Sequence, residues 1–238
     1  MISPITDFQK AGEVLETLSR LSAPKEKFDH FANYLARQGF TDVFYAQLMP
    51  GGSEPIIMRR WDEEWAEIYQ AKRYAQWDWA LQMGQRSERP FRLRQPITVQ
   101  SKGQAEFQKD AEAYNRLNGL AAPFRSPTSG AAGFSASGLD HEPGEGVMLA
   151  AVSTGYVFNI CMIGQIASDR CKVLGVTPRQ LMFLRLLGEG HTHVEIADLL
   201  GVTEDWSHKI FGRLREKFEV RTDAALMKKV VEAGLLAG

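Results

Sequence analysis

A chain of 238 residues, 44% apolar and 24% charged, is long enough for one large or two small globular domains with ordinary buried cores. Its formal net charge of -1 excludes a uniformly basic nucleic-acid binder, so any contact with DNA must come from a local patch. Cys161 and Cys171, with no second pair and no histidine at ligand spacing, suggest neither a disulfide framework nor a zinc site, and residues 1–14 lack the basic and apolar regions of a signal peptide.

Apolar spacing predicts amphipathic helices over residues 8–21 and 25–38, the second presenting Phe28, Phe31 and Leu35 on one side and stopping at Gly39. Residues 42–49 follow as a buried strand, with Val43, Tyr45 and Gln47 facing one way and Phe44, Ala46 and Leu48 the other. A turn at residues 50–53 leads to an antiparallel partner over residues 56–60. Residues 63–73 and 101–117 read as helices, and a second β-region is expected at 124–126 and 133–137, joined by a turn at 127–130. Helices on both sides of these strands imply an α/β/α sandwich around an antiparallel sheet.

Residues 147–167 carry no charge for about the length of a bilayer span. Ser153, Thr154, Gly155, Asn159 and Gln165 interrupt them and no basic cluster anchors them, so a buried helix is expected rather than a membrane span. Leu149, Val152, Tyr156, Ile160 and Ile163 step by three or four along one face, while Phe158, Met162 and Ile166 occupy another. One face can pack on the sheet and the other on a second copy, which makes Tyr156, Ile160 and Ile163 candidate contacts of a homodimer. The chain then divides into an N-terminal domain over residues 1–168, a short charged linker over 169–175 and a C-terminal domain over 176–238. The fold class is α+β.

In the C-terminal domain Thr177, Pro178 and Arg179 start a helix with a capping hydroxyl and a first-turn proline, and Glu189 and Gly190 end it. Thr192 caps a second, short helix, Gly201 makes a tight turn, Thr203 caps a third helix reaching about Phe218, and Thr222 starts a fourth. Two short helices joined by a glycine turn form the pattern whose later helix enters the major groove of double-stranded DNA. Its inserted face would carry His208, Lys209 and Arg213, with Arg215, Lys217 and Arg221 available for phosphates.

Thr177, Pro178, Arg179, Leu184, Gly190, the run from Glu195 to Ala197, Leu200 to Val202, Lys217, Phe218 and Val220 together resemble the GerE-type helix-turn-helix of LuxR-family quorum-sensing regulators over residues 177–236. The resemblance extends upstream to the autoinducer-binding domain. There Trp65, Tyr69 and Asp78 stand at the spacing by which the family places the tryptophan, tyrosine and aspartate that hold an N-acyl-homoserine lactone. It implies that Asp78 accepts the ligand amide hydrogen and that Trp65 and Tyr69 bind its carbonyl groups, with Trp61 and Phe91 as neighbouring wall residues. The residue types suit this, because a buried carboxylate needs a donor, an indole N–H needs an acceptor and an acyl tail needs an apolar cavity.

Several positions depart from the family pattern. Gln180 replaces a glutamate, Ser207 and Ile210 stand where valine and histidine or a basic residue are usual, and Gly212 weakens its helix by roughly 1 kcal/mol relative to alanine. Trp79 replaces a proline, no tryptophan occurs near Phe91 and Leu93, and alanine follows Leu120 where a second glycine is usual. Either the ligand differs, or aromatic side chains fill the cavity and the domain folds without ligand. Three readings stay open: a ligand-controlled dimeric regulator in the cytoplasm, a ligand-independent (orphan) regulator, and a DNA-binding-impaired antagonist acting by heterodimerisation. His191, His193 and Glu195 fall at a helix start, and no phosphate loop, nucleophile elbow or carboxylate pair supports an enzyme; no cofactor is expected beyond the effector ligand.

Overall fold

The computed structural model describes residues 4–48, 54–95, 101–126 and 130–236, with side chains from residue 12 onward except at 126 and 130. The expected turn at 50–53 and most of that at 127–130 lie outside the described residues. The chain forms two compact units that divide between Met162 and Ile163.

The first unit opens with α1 (Pro4–Arg20) and α2 (Pro24–Arg37). Gly39, at φ +97°, takes the left-handed conformation that ends α2 and turns the chain into β1 (Asp42–Gln47), which pairs antiparallel with β2 (Ile56–Arg60). Then come α3 (Glu63–Ala71), a 3-10 turn (Tyr74–Gln76), α4 (Trp79–Arg86), the short β3 (Phe91–Arg92), α5 (Lys102–Ala113), β4 (Leu120–Ser126) and β5 (Gly130–Ser137). The five strands are ordered β2-β1-β5-β4-β3.

As the strand alternation predicts, Val43, Tyr45 and Gln47 are buried on one face of β1. On that side Phe158, from α6 (Glu145–Val173), stacks on Phe31 of α2 at 4.5 Å and meets Tyr45 edge-on at 5.0 Å. The Tyr45 hydroxyl donates to Asn159 Oδ1 at 3.0 Å, which satisfies a polar pair inside this layer. Gly155 of α6 lies against the Phe134 ring, where any Cβ would collide with it. The α6 backbone therefore packs directly on the Phe134 ring.

Four elements differ from expectation. α4 and β3 carry no strong periodicity, since one has eight residues and the other two. β4 begins at Leu120, four residues before its expected start. α6 is helical to Val173, so residues 169–173 of the expected linker belong to the helix. Their charges are helix-compatible: Gln165 and Lys172 both reach Asp169, and Arg170 donates to the Ala233 carbonyl at 2.6 Å. α6 is long and apolar enough to cross a membrane, with a third of its most apolar stretch buried within the fold.

The second unit contains α7 (Pro178–Gly188), α8 (His193–Leu199), α9 (Glu204–Lys217) and α10 (Asp223–Glu232), the expected four-helix helix-turn-helix domain. Thr177 with Gln180, and Thr192 with Glu195, form reciprocal capping boxes. Gln180 thus does the capping work of the glutamate it replaces. Gly201, at φ +62°, makes the turn between α8 and α9, and Phe183, Leu184, Ile196, Phe211, Leu214, Leu226 and Val230 fill the core.

Candidate ligand-binding site and nucleic-acid interface

The second face of the sheet, with α3 and α4 opposite, lines an open-sided cavity of about 470 Å³. Strand register sets its floor in rows. Phe44 lies between Arg59 and Ser135, Ala46 between Ile57 and Gly133, and Leu48 is bonded beside Ala131. Tyr69 of α3, Asp78, and Ala80, Leu81, Gly84 and Gln85 of α4 form the opposite wall. Most of this lining is apolar, so the few polar groups determine what a ligand must present.

Asp78 holds two positions at once. One carboxylate oxygen accepts from Ala80 N at 2.9 Å and caps α4, and the other accepts from the Tyr69 hydroxyl at 2.9 Å. A carboxylate has about four acceptor sites, so it can still take an N–H from a ligand. Burial, only partly offset by these hydrogen bonds, raises the Asp78 carboxyl above the ordinary carboxylate range, and burial beside Asp78 raises the Tyr69 phenol.

A raised carboxyl means that the folded chain binds a proton more tightly than the unfolded one. Its contribution to stability is therefore complete below the unfolded carboxylate range and lost as pH rises through the folded value. Asp78→Asn cannot titrate. Ligand-free wild type is expected to lose melting temperature relative to this variant as pH rises from the ordinary carboxylate value of about 4 through the raised folded value. A difference that stays constant over that interval would contradict the assignment.

The structure brings Trp61, Tyr69 and Asp78 together at the cavity wall, Trp61 lying 5.0 Å from Tyr69 and 5.7 Å from Phe44. Trp65 sits behind them, buried with Tyr74, Phe107 and Leu117 and 5.8 Å from Tyr69, outside the cavity lining. Phe91 is also outside the lining, where it packs on Trp79 at 5.7 Å. Trp79 is the first residue of α4, a position that tolerates proline, and its ring points to Phe91 rather than into the cavity. The added bulk leaves the cavity open. Arg59 is a wall residue that the sequence reading missed; its guanidinium lies 5.5 Å over the Trp61 ring.

On the second unit, α9 exposes His208, Lys209, Arg213 and Lys217. Lys209 pairs with Asp205 at 2.6 Å, and His208 lies 3.4 Å from Glu204 and 3.0 Å from His193. Arg215 is held by Asp223 at 2.5 Å, and Lys217 donates to the Gly175 carbonyl. Arg213 and Arg221 are exposed and have no side-chain partner among the described residues. Ser207 and Ile210 are buried, Ser207 donating to the His193 carbonyl at 3.1 Å. Those two departures therefore change the packing of α8 on α9 and leave the exposed face untouched.

The chain thus carries a cavity-bearing α/β/α unit followed by a four-helix unit. The chain belongs to the autoinducer binding domain family, which it matches over residues 24–154. Its fold is similar to that of Escherichia coli SdiA, with a TM-score of 0.57 at 16% identity over 97% of this chain and 99% of that one. SdiA in complex with octanoyl-rac-glycerol gives 0.51 at 16% identity, covering 97% of each chain. CepR2 from Burkholderia cenocepacia, an N-acylhomoserine lactone dependent LuxR family transcription factor, gives 0.50 at 16% identity, covering 65% of this chain and 92% of that one. No curated protein sequence matches this one.

Proposed function

We propose that the protein is a quorum-sensing transcription regulator of the cytoplasm, in which an N-acyl-homoserine lactone bound within residues 1–168 controls how residues 176–238 of a homodimer bind double-stranded DNA. The observation that carries this reading is Asp78, a carboxylate with spare acceptor capacity on the wall of an otherwise apolar cavity. An amide N–H beside an acyl chain is the complementary chemistry. The dependence of CepR2 on such lactones, and the acylglycerol held by SdiA, support an acylated ligand. Mass spectrometry of small molecules extracted from the purified protein tests it: a stoichiometric acyl-homoserine lactone is expected, and a folded dimer that neither retains nor takes up one would favour the ligand-independent reading.

Leu149, Tyr156 and Ile160 are large apolar residues more than half exposed on α6, at 57%, 56% and 51%, with Ile163 half-buried on the same stripe. A second copy covering this stripe accounts for it. Ile160→Asp would place an unpaired charge in that contact at a cost of several kcal/mol. It is expected to give monomers at concentrations where wild type sediments as a dimer, and unchanged sedimentation would refute the contact.

For DNA, Arg213 and Arg221 can reach phosphates without breaking an ion pair, whereas Lys209 must first leave Asp205 and Arg215 must leave Asp223. Arg213→Ala is expected to reduce the salt slope of binding by about one unit, more than Lys217→Ala. Equal slopes in wild type and Arg213→Ala would argue against α9 as the contacting helix. The antagonist reading draws on Glu204 and Asp205, whose carboxylates occupy the first turn of α9 and would repel phosphate. A mobility-shift assay with genomic fragments separates the two, since an antagonist retards none.

A further inference from the structure

The cavity is shaped by what its walls lack. Beyond the row of Arg59, Phe44 and Ser135, the floor carries Ala46, Gly133 and Ala131, and the facing helix presents Ala80 and Gly84. A Cβ added at Gly84 would meet nothing within 4 Å. At the far end, Leu48 and Ile57 line the cavity with 45% and 56% of their surface uncovered. Apolar side chains left open inside a cavity are the surface that a ligand's apolar part covers.

Two independent dimensions give the size of that part. Trp61 touches both Phe44 and Tyr69, so the polar anchor lies at the Phe44 end, and the floor runs four residues along β1 to Leu48. Four strand residues span roughly 13 to 14 Å, the length of about ten or eleven methylenes at roughly 1.3 Å each. For volume, a 150 Å³ cavity takes benzene, so 470 Å³ holds about 19 non-hydrogen atoms; removing about eight for the lactone, amide nitrogen and acyl oxygen leaves about eleven carbons.

We infer that the site selects acyl chains of about ten to twelve carbons, with Ala46 and Gly84 setting the depth. This rests on the acyl-homoserine lactone reading above. The test is calorimetric titration of the full-length protein with homoserine lactones carrying acyl chains from about four to about fourteen carbons, on wild type, Ala46→Leu and Gly84→Leu. Affinity is expected to rise about fourfold per methylene and to level off near ten to twelve carbons. Each leucine variant is expected to move that optimum to shorter chains while still binding the short lactones, which also shows that it is folded; Ala46→Val serves if either fails that control.

A wild-type optimum at four to six carbons, or an optimum unmoved in folded variants, would overturn the chain-length inference and leave the Asp78 anchor standing. Absence of binding by every chain length would overturn both.

Discussion

Asp78→Asn is expected to weaken binding of an N-acyl-homoserine lactone by about 1.5–3 kcal/mol, roughly ten- to 150-fold, the worth of a hydrogen bond to a charged acceptor. Asparagine keeps the size of the side chain and remains a good helix cap, so Ala80 N keeps its acceptor and the ligand-free fold changes little. Only one acceptor oxygen remains for the three donors that would meet at this point: Ala80 N, the Tyr69 hydroxyl and the ligand amide. The new amide nitrogen is itself a donor and would face the ligand N–H. Calorimetry on the two proteins with one lactone checks this, and equal affinities would show that Asp78 only caps α4.

Phe158→Ala is expected to destabilise the first unit by about 3–5 kcal/mol, the usual cost of removing a buried phenyl ring. Phe158 is fully buried and joins three elements through its contacts with Phe31 on α2 and Tyr45 on β1. The melting temperature of that unit should fall by roughly 6–20 °C, at about 2–4 °C per kcal/mol for a unit of this size. A second, separate transition should persist, because the second unit has its own core around Phe183 and Phe211. A shift of only a degree or two would mean that this layer repacks around the lost ring.

The layers of the fold were legible wherever local chemistry repeats. The strand alternation from Val43 to Leu48 correctly separated the core face from the other face, and Thr177, Thr192, Thr203 and Thr222 each cap the helix that follows. The candidate site was less legible, because spacing does not say which of several aromatic rings faces a cavity. Trp65 and Tyr69 are one turn apart on α3 and both lie 6.4 Å from Phe107 of α5, yet Trp65 also packs on Tyr114, just after α5, while Tyr69 reaches Asp78. That choice depends on α5, which no reading of α3 alone can include. Arg59 was recoverable: once the outward face of β1 is known, antiparallel pairing places Arg59 opposite Phe44 and Ile57 opposite Ala46. The Asp205–Lys209 pair on α9 was also legible, since the two stand four apart on one helix face.

The cavity beside Asp78 is proposed as a ligand site rather than a packing gap. Thermal unfolding of the full-length protein titrated with short, medium and long acyl-homoserine lactones tests it most directly, because a ligand that binds only the folded state stabilises it by about 2.7 kcal/mol at a hundredfold excess over Kd. A concentration-dependent rise in the melting temperature of wild type is expected, largest for the longer chains and much reduced in Asp78→Asn. A wild-type melting temperature that stays constant with every chain at every concentration would contradict it.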